Sequence, residues 1–180
     1  VIPMDNCAEC DARCCRKYLI AVVPSDIARM ARKLNARPCE FLQVFPADEC
    51  DCVWAPPFWV KGEEAYVGLK RGKNGCAFLK GARCSIHQFK PLVCTTFPLC
   101  LEGEQIVVSN ACLRKEGWAR EGERVSQYHS ELAGMRRLAV EWNWSRGKHG
   151  TGKELLEFLL NKGMEKQKIA RIVKKIRIPK

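Results

Sequence analysis

The chain has 180 residues, 47% of them hydrophobic, and a formal net charge of +11. This length fits one domain with appendages and excludes two large domains. The charge alone is a weak sign of nucleic-acid binding, because a thiol that binds metal loses its proton and thereby reduces the net charge.

Twelve cysteines are a large excess, which indicates either disulfides or bound metal. The sequence opens with Val1-Ile2-Pro3-Met4-Asp5, not with a secretory leader, and contains no apolar run long enough to span a membrane. We therefore expect a cytoplasmic protein with no membrane partner. In that reducing compartment thiols bind metal ions more readily than they pair, although hyperthermophile proteins keep disulfides there too.

The first half of the chain predicts one strand and two helices. The apolar run 18–23 is rich in β-branched residues and ends before Pro24, as in a short buried strand. Ser25 is a suitable N-cap for a helix over about 25–35. Pro38 suits the first turn of a second, short helix, to which we assign Phe41, Leu42 and Phe45.

The second half predicts strands on both sides of the central cysteines, then a long helix. Residues 48–62 contain turn formers, prolines and tryptophans, which predicts irregular structure. Residues 65–70 and 105–109 are predicted strands. From 122 to 142 apolar residues recur every three or four positions, which predicts an amphipathic helix lying across the cysteine-rich core.

The glycine-rich stretch 147–153 has the composition of a phosphate-binding loop, but Glu154 stands where a magnesium-binding Ser or Thr is needed. No predicted strand precedes it. Thr151 and Glu154 instead have the spacing of a capping box, which predicts a linker into a helix.

Residues 164–180 form a predicted basic amphipathic helix, with one face made of Ile169, Ile172, Val173 and Ile176. Two interpretations remain open. Either this helix packs on its own domain, or it binds RNA or an acidic protein through its lysines and arginines.

Eight cysteines fall into two clusters that suit metal binding. Cys7 and Cys10 have the chelating C-x2-C spacing, and the adjacent pair Cys14-Cys15 can serve two metals or two corners of one cluster. The predicted ligands are Cys7, Cys10, Cys14, Cys15, Cys76, Cys84, Cys94 and Cys112. Their number suits two four-ligand sites or one larger cluster, and spacing does not divide them between these possibilities.

These residues also carry a family resemblance. The pattern comprises Cys7-x2-Cys10-x3-Cys14-Cys15, a helix with Asp26 and Ile27, Cys76-Ala-Phe-Leu, Cys84-Ser-Ile-His, Lys90-Pro91, Cys94 and Phe97-Pro98. It resembles the YkgJ-type cysteine-cluster family, a proposed zinc- or iron-chelating domain, over about the first 115 residues. The resemblance implies a small metal-binding module that holds an iron–sulfur cluster or zinc. Similar cysteines occur in flagellin lysine N-methylases.

Three positions depart from the family pattern: His87 where tyrosine is common, Lys90 where arginine is common, and Thr95 in place of an arginine. Three roles are open for His87: packing near the cluster, binding the metal, or orienting a thiolate. Four cysteines lie outside the pattern: Cys39, Cys50, Cys52 and Cys100. We expect unpaired thiols there, although Cys50 and Cys52 could also chelate or pair.

We therefore predict an α+β protein with a small cysteine-rich metal-binding core of short strands covered by helices over 1–118, and a helical extension with a basic C-terminal helix over 119–180. The predicted function is metal binding in an accessory, redox or structural role. The cofactor is an iron–sulfur cluster, with the 4Fe-4S type favoured, or zinc. The alternatives are an enzyme related to protein-lysine N-methylases and an RNA- or ribosome-associated basic protein.

Overall fold

The computed structural model describes residues 12–50, 55–102, 105–109, 112 and 122–176, and only the backbone of 100–102, 122 and 172–176. The described residues form six α-helices: α1 (Arg13–Lys17), α2 (Pro24–Leu34), α3 (Pro38–Phe41), α4 (Leu92–Thr96), α5 (Gly122–Ser145) and α6 (Gly152–Ile176). Their strands are β1 (Leu42–Pro46), β2 (Phe58–Val60), β3 (Glu63–Leu69), β4 (Arg71–Gly72), β5 (Gly75–Cys76), β6 (Leu79–Lys80), β7 (Arg83–Cys84), β8 (Leu99–Glu102) and β9 (Gln105–Val108). The α+β prediction is confirmed.

Three strands form the main sheet, in the antiparallel order β1-β3-β2. Its register places Val44 opposite Val67 and Phe58 opposite Ala65, so that apolar side chains pair across the strands. The other six strands form three separate hairpins, β4-β5, β6-β7 and β8-β9. β3 and β9 match the strands predicted at 65–70 and 105–109.

The strand predicted over 18–23 is wrong, although most of the segment is buried. Among the described residues its only bridge joins Ala21 to Gly68, and the Leu69 N–H donates to the Ile20 carbonyl at 2.9 Å. A Cβ at Gly68 would lie 2.9 Å from the Ile20 carbonyl oxygen. The segment is therefore held by close packing on β3 and not by a continuous ladder.

Helix α2 confirms the helix predicted over 25–35, but its N-cap is Val23 and not Ser25. Pro24 occupies the first helical position, where its fixed φ suits the helix and its missing N–H removes no hydrogen bond. The Val23 N–H donates to the Asp26 carboxylate at 3.5 Å.

The second predicted helix is wrong beyond Phe41. The chain leaves α3 there and continues as β1, whose residues pair with β3 along their whole length. This pairing places Leu42 opposite Leu69 and Phe45 opposite Tyr66, and the contacts of the sheet override the helical spacing of the apolar residues.

Strand β2 lies inside the stretch 48–62 that was predicted to be irregular, and α5 holds it in place. The Trp142 Nε1–H donates to the Trp59 carbonyl at 2.7 Å, while the Trp59 N–H donates to Asn143 Oδ1 at 2.7 Å. The long helix predicted over 122–142 is confirmed by α5. Its outer face leaves Trp144 exposed.

The glycine-rich loop packs against the turn between β2 and β3. The Gly62 N–H donates to the Gly147 carbonyl at 2.8 Å, and the Lys61 N–H donates to the Gly150 carbonyl at 3.1 Å. Carbonyl oxygens therefore face the neighbouring turn, which is a packing arrangement and not a cradle of N–H groups for phosphate.

Helix α6 begins at the predicted capping box. The Thr151 N–H donates to Glu154 Oε2 at 2.8 Å, and the Glu154 N–H donates to Thr151 Oγ1 at 3.3 Å. The helix then continues without a break to Ile176, so the basic helix predicted from 164 is the C-terminal part of α6.

Gly163 allows α6 to approach α2 closely. A Cβ at this position would lie 2.0 Å from the Pro24 carbonyl oxygen and 3.0 Å from Ala28 Cβ. A helix can tolerate glycine in its interior when such packing compensates for the lower helix propensity.

Two cross-helix ion pairs join α6 to α5. Lys162 Nζ lies 2.8 Å from Glu141 Oε1, and Lys166 Nζ lies 2.5 Å from Glu131 Oε1. Only Glu131 is buried, so the second pair is the better shielded of the two.

The main hydrophobic core contains residues from both sides of the boundary predicted at 118. Ile27, Phe58 and Val67 share it with Trp142 and Leu155. The division into 1–118 and 119–180 stays a prediction.

We expect Gly163→Ala to lower the free energy of unfolding by about 1–3 kcal/mol, because the added Cβ overlaps the Pro24 carbonyl. Gly134→Ala in α5 is the matched control, since the nearest atom to its Cβ is Arg137 Nη2 at 3.9 Å. The control should gain about 0.5–1 kcal/mol from its better helix propensity. Chemical denaturation measures both, and equal stability of the two variants would contradict the close helix contact.

Candidate metal centre

Five cysteines from four elements lie close enough together for their charges to interact. Cys14 and Cys15 are in α1, with their Sγ atoms 4.0 Å apart. Cys76 ends β5, Cys84 ends β7 and Cys94 lies in α4. Negative charge on Cys14, Cys76 or Cys84 opposes ionisation of Cys94. The structure thus brings together five of the eight predicted ligands.

Arg71 ties the carboxyl end of α1 to the β4-β5 hairpin. Its Nη1 donates to the Tyr18 carbonyl and its Nη2 donates to the Arg16 carbonyl, each at 2.5 Å. The last carbonyls of a helix lack partners within the helix. The guanidinium supplies them and so fixes the two α1 cysteines beside the hairpin.

Gly75 allows the backbone of Cys15 to lie directly beside Cys76. Its φ is +111°, and a Cβ at this position would lie 2.5 Å from the Cys15 carbonyl oxygen. Both the backbone conformation and the lack of space require glycine. A larger residue would push α1 away from the hairpin.

The two hairpins carry their cysteines at equivalent positions. Cys76 pairs with Arg71 in β4-β5, and Cys84 pairs with Leu79 in β6-β7. The residue after each cysteine donates its N–H to the carbonyl just before the first strand. The Ala77 N–H donates to Lys70 at 2.8 Å, and the Ser85 N–H donates to Phe78 at 2.9 Å. These bonds fix the direction in which each cysteine leaves the hairpin.

Asp26 anchors the helix that carries Cys94. Its two carboxylate oxygens accept the Leu92 N–H at 3.2 and 3.1 Å, and Arg29 Nη2 donates to Asp26 Oδ1 at 2.6 Å and to the Lys90 carbonyl at 2.8 Å. Burial raises the pKa of Asp26 to about 6, although the Arg29 charge and the Leu92 and Val23 amides act in the opposite direction. This network holds the first turn of α4 against α2.

The surroundings of Cys15, Cys76 and Cys94 disfavour ionisation, whereas those of Cys14 favour it. The hydrogen bond with Cys15 lowers the pKa of Cys14 to about 7, and the same bond raises the pKa of Cys15. Burial raises the pKa of Cys76 and Cys94. Sulfurs in such a place hold either a proton or a cation, and zinc and iron are cations that thiolates bind well. The donor chemistry therefore fits a zinc or iron centre.

The remaining predicted ligands are less well defined. Cys7 and Cys10 lie outside the described residues, and Cys112 follows β9 with its N–H donating to the Ser109 carbonyl at 3.2 Å. Within the part of the chain that the structure describes, no three Cys, His, Asp or Glu side chains are grouped tightly enough to enclose an ion. The ligand set stays a prediction.

His87 lies beside a cation. Its Nε2 is 3.3 Å from Lys90 Nζ, and the positive charge of Lys90 favours ionisation of Cys14 and Cys94. Lys90 therefore contributes the charge that an arginine would contribute at this position. A role of His87 as a metal ligand stays a prediction.

The cysteines outside the predicted ligand set are only partly described. Cys39 is half-buried in α3 and packs against the main core, and the Cys50 thiol donates to the Pro46 carbonyl at 3.3 Å. Cys39 is a free thiol in the structure. Cys52 and the side chain of Cys100 lie outside the described residues.

Sequence analysis assigned no role to Arg71, Gly75 or Arg29. Gly75 carried a signal, since a glycine directly before a predicted ligand marks a special backbone position. The two arginines carried none, because the Tyr18 and Lys90 carbonyls that they contact are 53 and 61 residues away in the sequence.

Comparison with known families decides the family of the chain. The pattern of the CxxCxxCC family, a proposed zinc- or iron-chelating domain, matches residues 6–113. The chain belongs to this family. The match confirms the resemblance that the cysteines predicted. The spacing differs at one point, since three residues separate Cys10 from Cys14 in this chain and two residues separate the corresponding cysteines in the pattern that names the family. Searches of curated proteins and of solved structures found no match.

Within the described residues, no helix is long and apolar enough to cross a membrane.

We expect Asp26→Ala to lower the free energy of unfolding by about 1–3 kcal/mol, because it leaves the buried Leu92 N–H without its acceptor and Arg29 without its ion-pair partner. Glu40→Ala is the control: Glu40 also accepts the N-cap N–H of its helix, at 2.6 Å, but it is exposed. We expect Glu40→Ala to cost less than about 1 kcal/mol. Urea denaturation compares the two, and an equal loss would contradict the anchoring role of Asp26.

Proposed function

We propose that the chain binds metal through Cys7, Cys10, Cys14, Cys15, Cys76, Cys84, Cys94 and Cys112. The observation that supports this most strongly is the convergence of five of these thiols from α1, β5, β7 and α4 on one place. Thiolates brought this close repel one another, and a bound cation would offset that repulsion. The family match, to a zinc- or iron-chelating domain, agrees with this.

The Cys14–Cys15 pair holds the thiol whose ionisation its surroundings favour. The Cys14 pKa of about 7 makes that thiol partly ionised at neutral pH, and the Lys90 charge favours the thiolate further. Each further thiolate is opposed by the charges already present, as at Cys15 and Cys94. A cation at the centre removes that opposition, so deprotonation and metal binding occur together.

An iron–sulfur cluster, with the 4Fe-4S type favoured, is our first choice of cofactor, and zinc is the second. Eight cysteines exceed the four ligands of one zinc ion, whereas cuboidal clusters accept thiolates from separate segments. A cluster would supply electron transfer or redox sensing, and zinc would supply a cross-link. The role is accessory, redox or structural in either case.

The cytoplasm is the compartment that suits this proposal. Its reducing thiol pool keeps cysteines available for metal. An oxidising compartment would instead convert neighbouring thiols into disulfides.

The alternative of a protein-lysine methylase has no supporting observation. The glycine-rich loop at 147–150 is the one candidate for binding a nucleotide-like methyl donor among the described residues, and its carbonyls bond to Lys61 and Gly62. We therefore do not assign catalytic residues.

We expect Cys84→Ser and Cys94→Ser each to weaken metal binding by at least about tenfold. Loss of a residue that merely hydrogen-bonds to a metal ligand already lowers affinity by that factor, and loss of the ligand itself should lower it more. Cys39→Ser and Cys50→Ser are the controls and should retain the wild-type metal content. The measurement is iron, acid-labile sulfide and zinc per chain after anaerobic purification, with the visible spectrum. Wild-type protein that holds neither iron nor zinc would refute the proposal, and equal loss in both groups would refute the assignment of ligands.

A second activity, RNA binding, is supported by the C-terminal half of α6. Ile169 is 61% exposed, so its side chain is not buried against another helix. Lys168 and Arg171 line a groove of about 530 Å³ together with Arg32 from α2. One acid, Glu165, lines the same groove. This excess of positive charge favours a phosphate backbone, and we propose RNA as the ligand.

We expect the triple variant Arg32→Gln, Lys168→Gln and Arg171→Gln to bind single-stranded RNA more weakly and with a salt slope smaller by about 2, as three lost phosphate contacts predict. The control removes three exposed lysines elsewhere, Lys73, Lys148 and Lys153, and so changes the net charge equally. Filter binding of an RNA homopolymer between low and moderate salt gives both slopes. Equal slopes in the two variants would show attraction by net charge alone, and tighter capture of an acidic peptide than of RNA would favour a protein partner.

A further inference from the structure

The outer face of α5 carries a tryptophan whose side chain lies almost wholly in solvent. Trp144 is 94% exposed, and Val140, one turn before it, is 71% exposed. Trp142 in the same turn is buried in the main core, as most of a tryptophan's surface usually is in folded proteins. The Trp144 indole contributes little to that core, so its ring is available to a ligand.

Two arginines share this face with the exposed tryptophan. Arg136 and Arg137 are exposed, and they precede Val140 by four and three residues, the spacings that place side chains on one face of a helix. Along the helix axis they lie about 10–12 Å from Trp144. Neither arginine forms an ion pair with a carboxylate in the part of the chain that the structure describes. Their charge is therefore available to an anion.

The acids near this face do not cancel that charge. Glu141, three residues before Trp144, already has its Oε1 2.8 Å from Lys162 Nζ. Glu64 lies opposite Trp59 in the register of β2 and β3, so its charge falls beside the tryptophan of the sheet and not on the helix. The surface around Trp144 is positive.

Size and charge favour a nucleic acid over a protein as the occupant. A stable protein interface buries about 800 Å² on each partner, whereas the large apolar side chains exposed on the described part of α5 are Val140 and Trp144 alone. A second copy of the chain would bring an equal positive charge, since the net charge is +11. A flat ring beside guanidinium groups is instead what single-stranded nucleic acids bind, with a base on the ring and phosphates on the cations.

We propose that Trp144 stacks a base of single-stranded RNA while Arg136 and Arg137 hold the neighbouring phosphates. The site goes beyond the proposed metal binding and shares no residue with the groove of α2 and α6. Stacking tolerates any sequence, because every base has a π-face. A duplex cannot use the site in this way, because its bases already stack on one another.

The test measures binding of a fluorescein-labelled oligouridine to the full chain and its variants. We expect Trp144→Ala and Trp144→Leu to weaken binding about 5- to 150-fold, the loss of one stacked base. Trp144→Phe keeps a ring and should retain most of the affinity. All three should melt at the wild-type temperature, because the side chain is exposed.

Salt dependence separates stacking from phosphate contact. The Trp144 variants should keep the wild-type salt slope, because stacking releases no counterions. The double variant Arg136→Gln and Arg137→Gln should lower the slope by about 1.4, as two lost phosphate contacts predict for a single strand. The control Lys73→Gln and Lys153→Gln removes the same charge from exposed positions elsewhere and should keep the wild-type slope.

Wild-type affinity in Trp144→Ala would overturn the inference, and so would equal affinities of the Leu and Phe variants. A peptide of glutamate and leucine that binds more tightly than oligouridine, and is weakened by Trp144→Ala, would overturn it in favour of an acidic protein. Loss of affinity in the groove variant alone would refute the stacking site and leave the groove. Wild type that binds no oligouridine would refute both RNA sites, and the metal content of the same preparation tests the metal proposal separately.

Discussion

Mutual repulsion of buried thiolates is the constraint on which the cysteine-rich part of the molecule depends. Negative charge on Cys14 opposes ionisation of Cys15, Cys76 and Cys94, so these thiols stay protonated or are neutralised by a cation. The same grouping puts the ends of two hairpins and two helices in one place. Metal binding would then contribute to folding directly, because the bonds that neutralise the sulfurs also join the elements that carry them.

Polar contacts between distant parts of the chain build this place before any metal is considered. Arg71 holds the end of α1, and Asp26 with Arg29 holds the start of α4. Gly75 has no side chain, which allows α1 to lie against the β4-β5 hairpin. Each contact positions a cysteine through its backbone and not through its sulfur. The thiols therefore remain available for bonding, which is what a binding site requires of its supporting residues.

The sequence predicted the features that local patterns determine. The long helix α5, the capping box at Thr151 and the strands flanking the central cysteines each follow from spacing over a few residues. The errors occurred where tertiary pairing overrides local preference: Leu42 and Phe45 have helical spacing but pair with β3, and β2 exists because Trp142 and Asn143 hold it. The cysteines could be grouped as metal ligands from their number, but the residues that orient them could not, because their contacts span 50 residues or more.

The helices beyond the family match share their hydrophobic core with the family domain. Helix α6 packs on α2 through Gly163, and the buried Glu131 of α5 pairs with Lys166. Trp142 and Leu155 complete the core that Ile27 begins. Because α2 also carries Asp26, which anchors the Cys94 helix, a change in the packing of α6 on α2 would reach the cysteines through two contacts. The extension can therefore act on the proposed metal site through the packing of α6 on α2, without a contact to a sulfur.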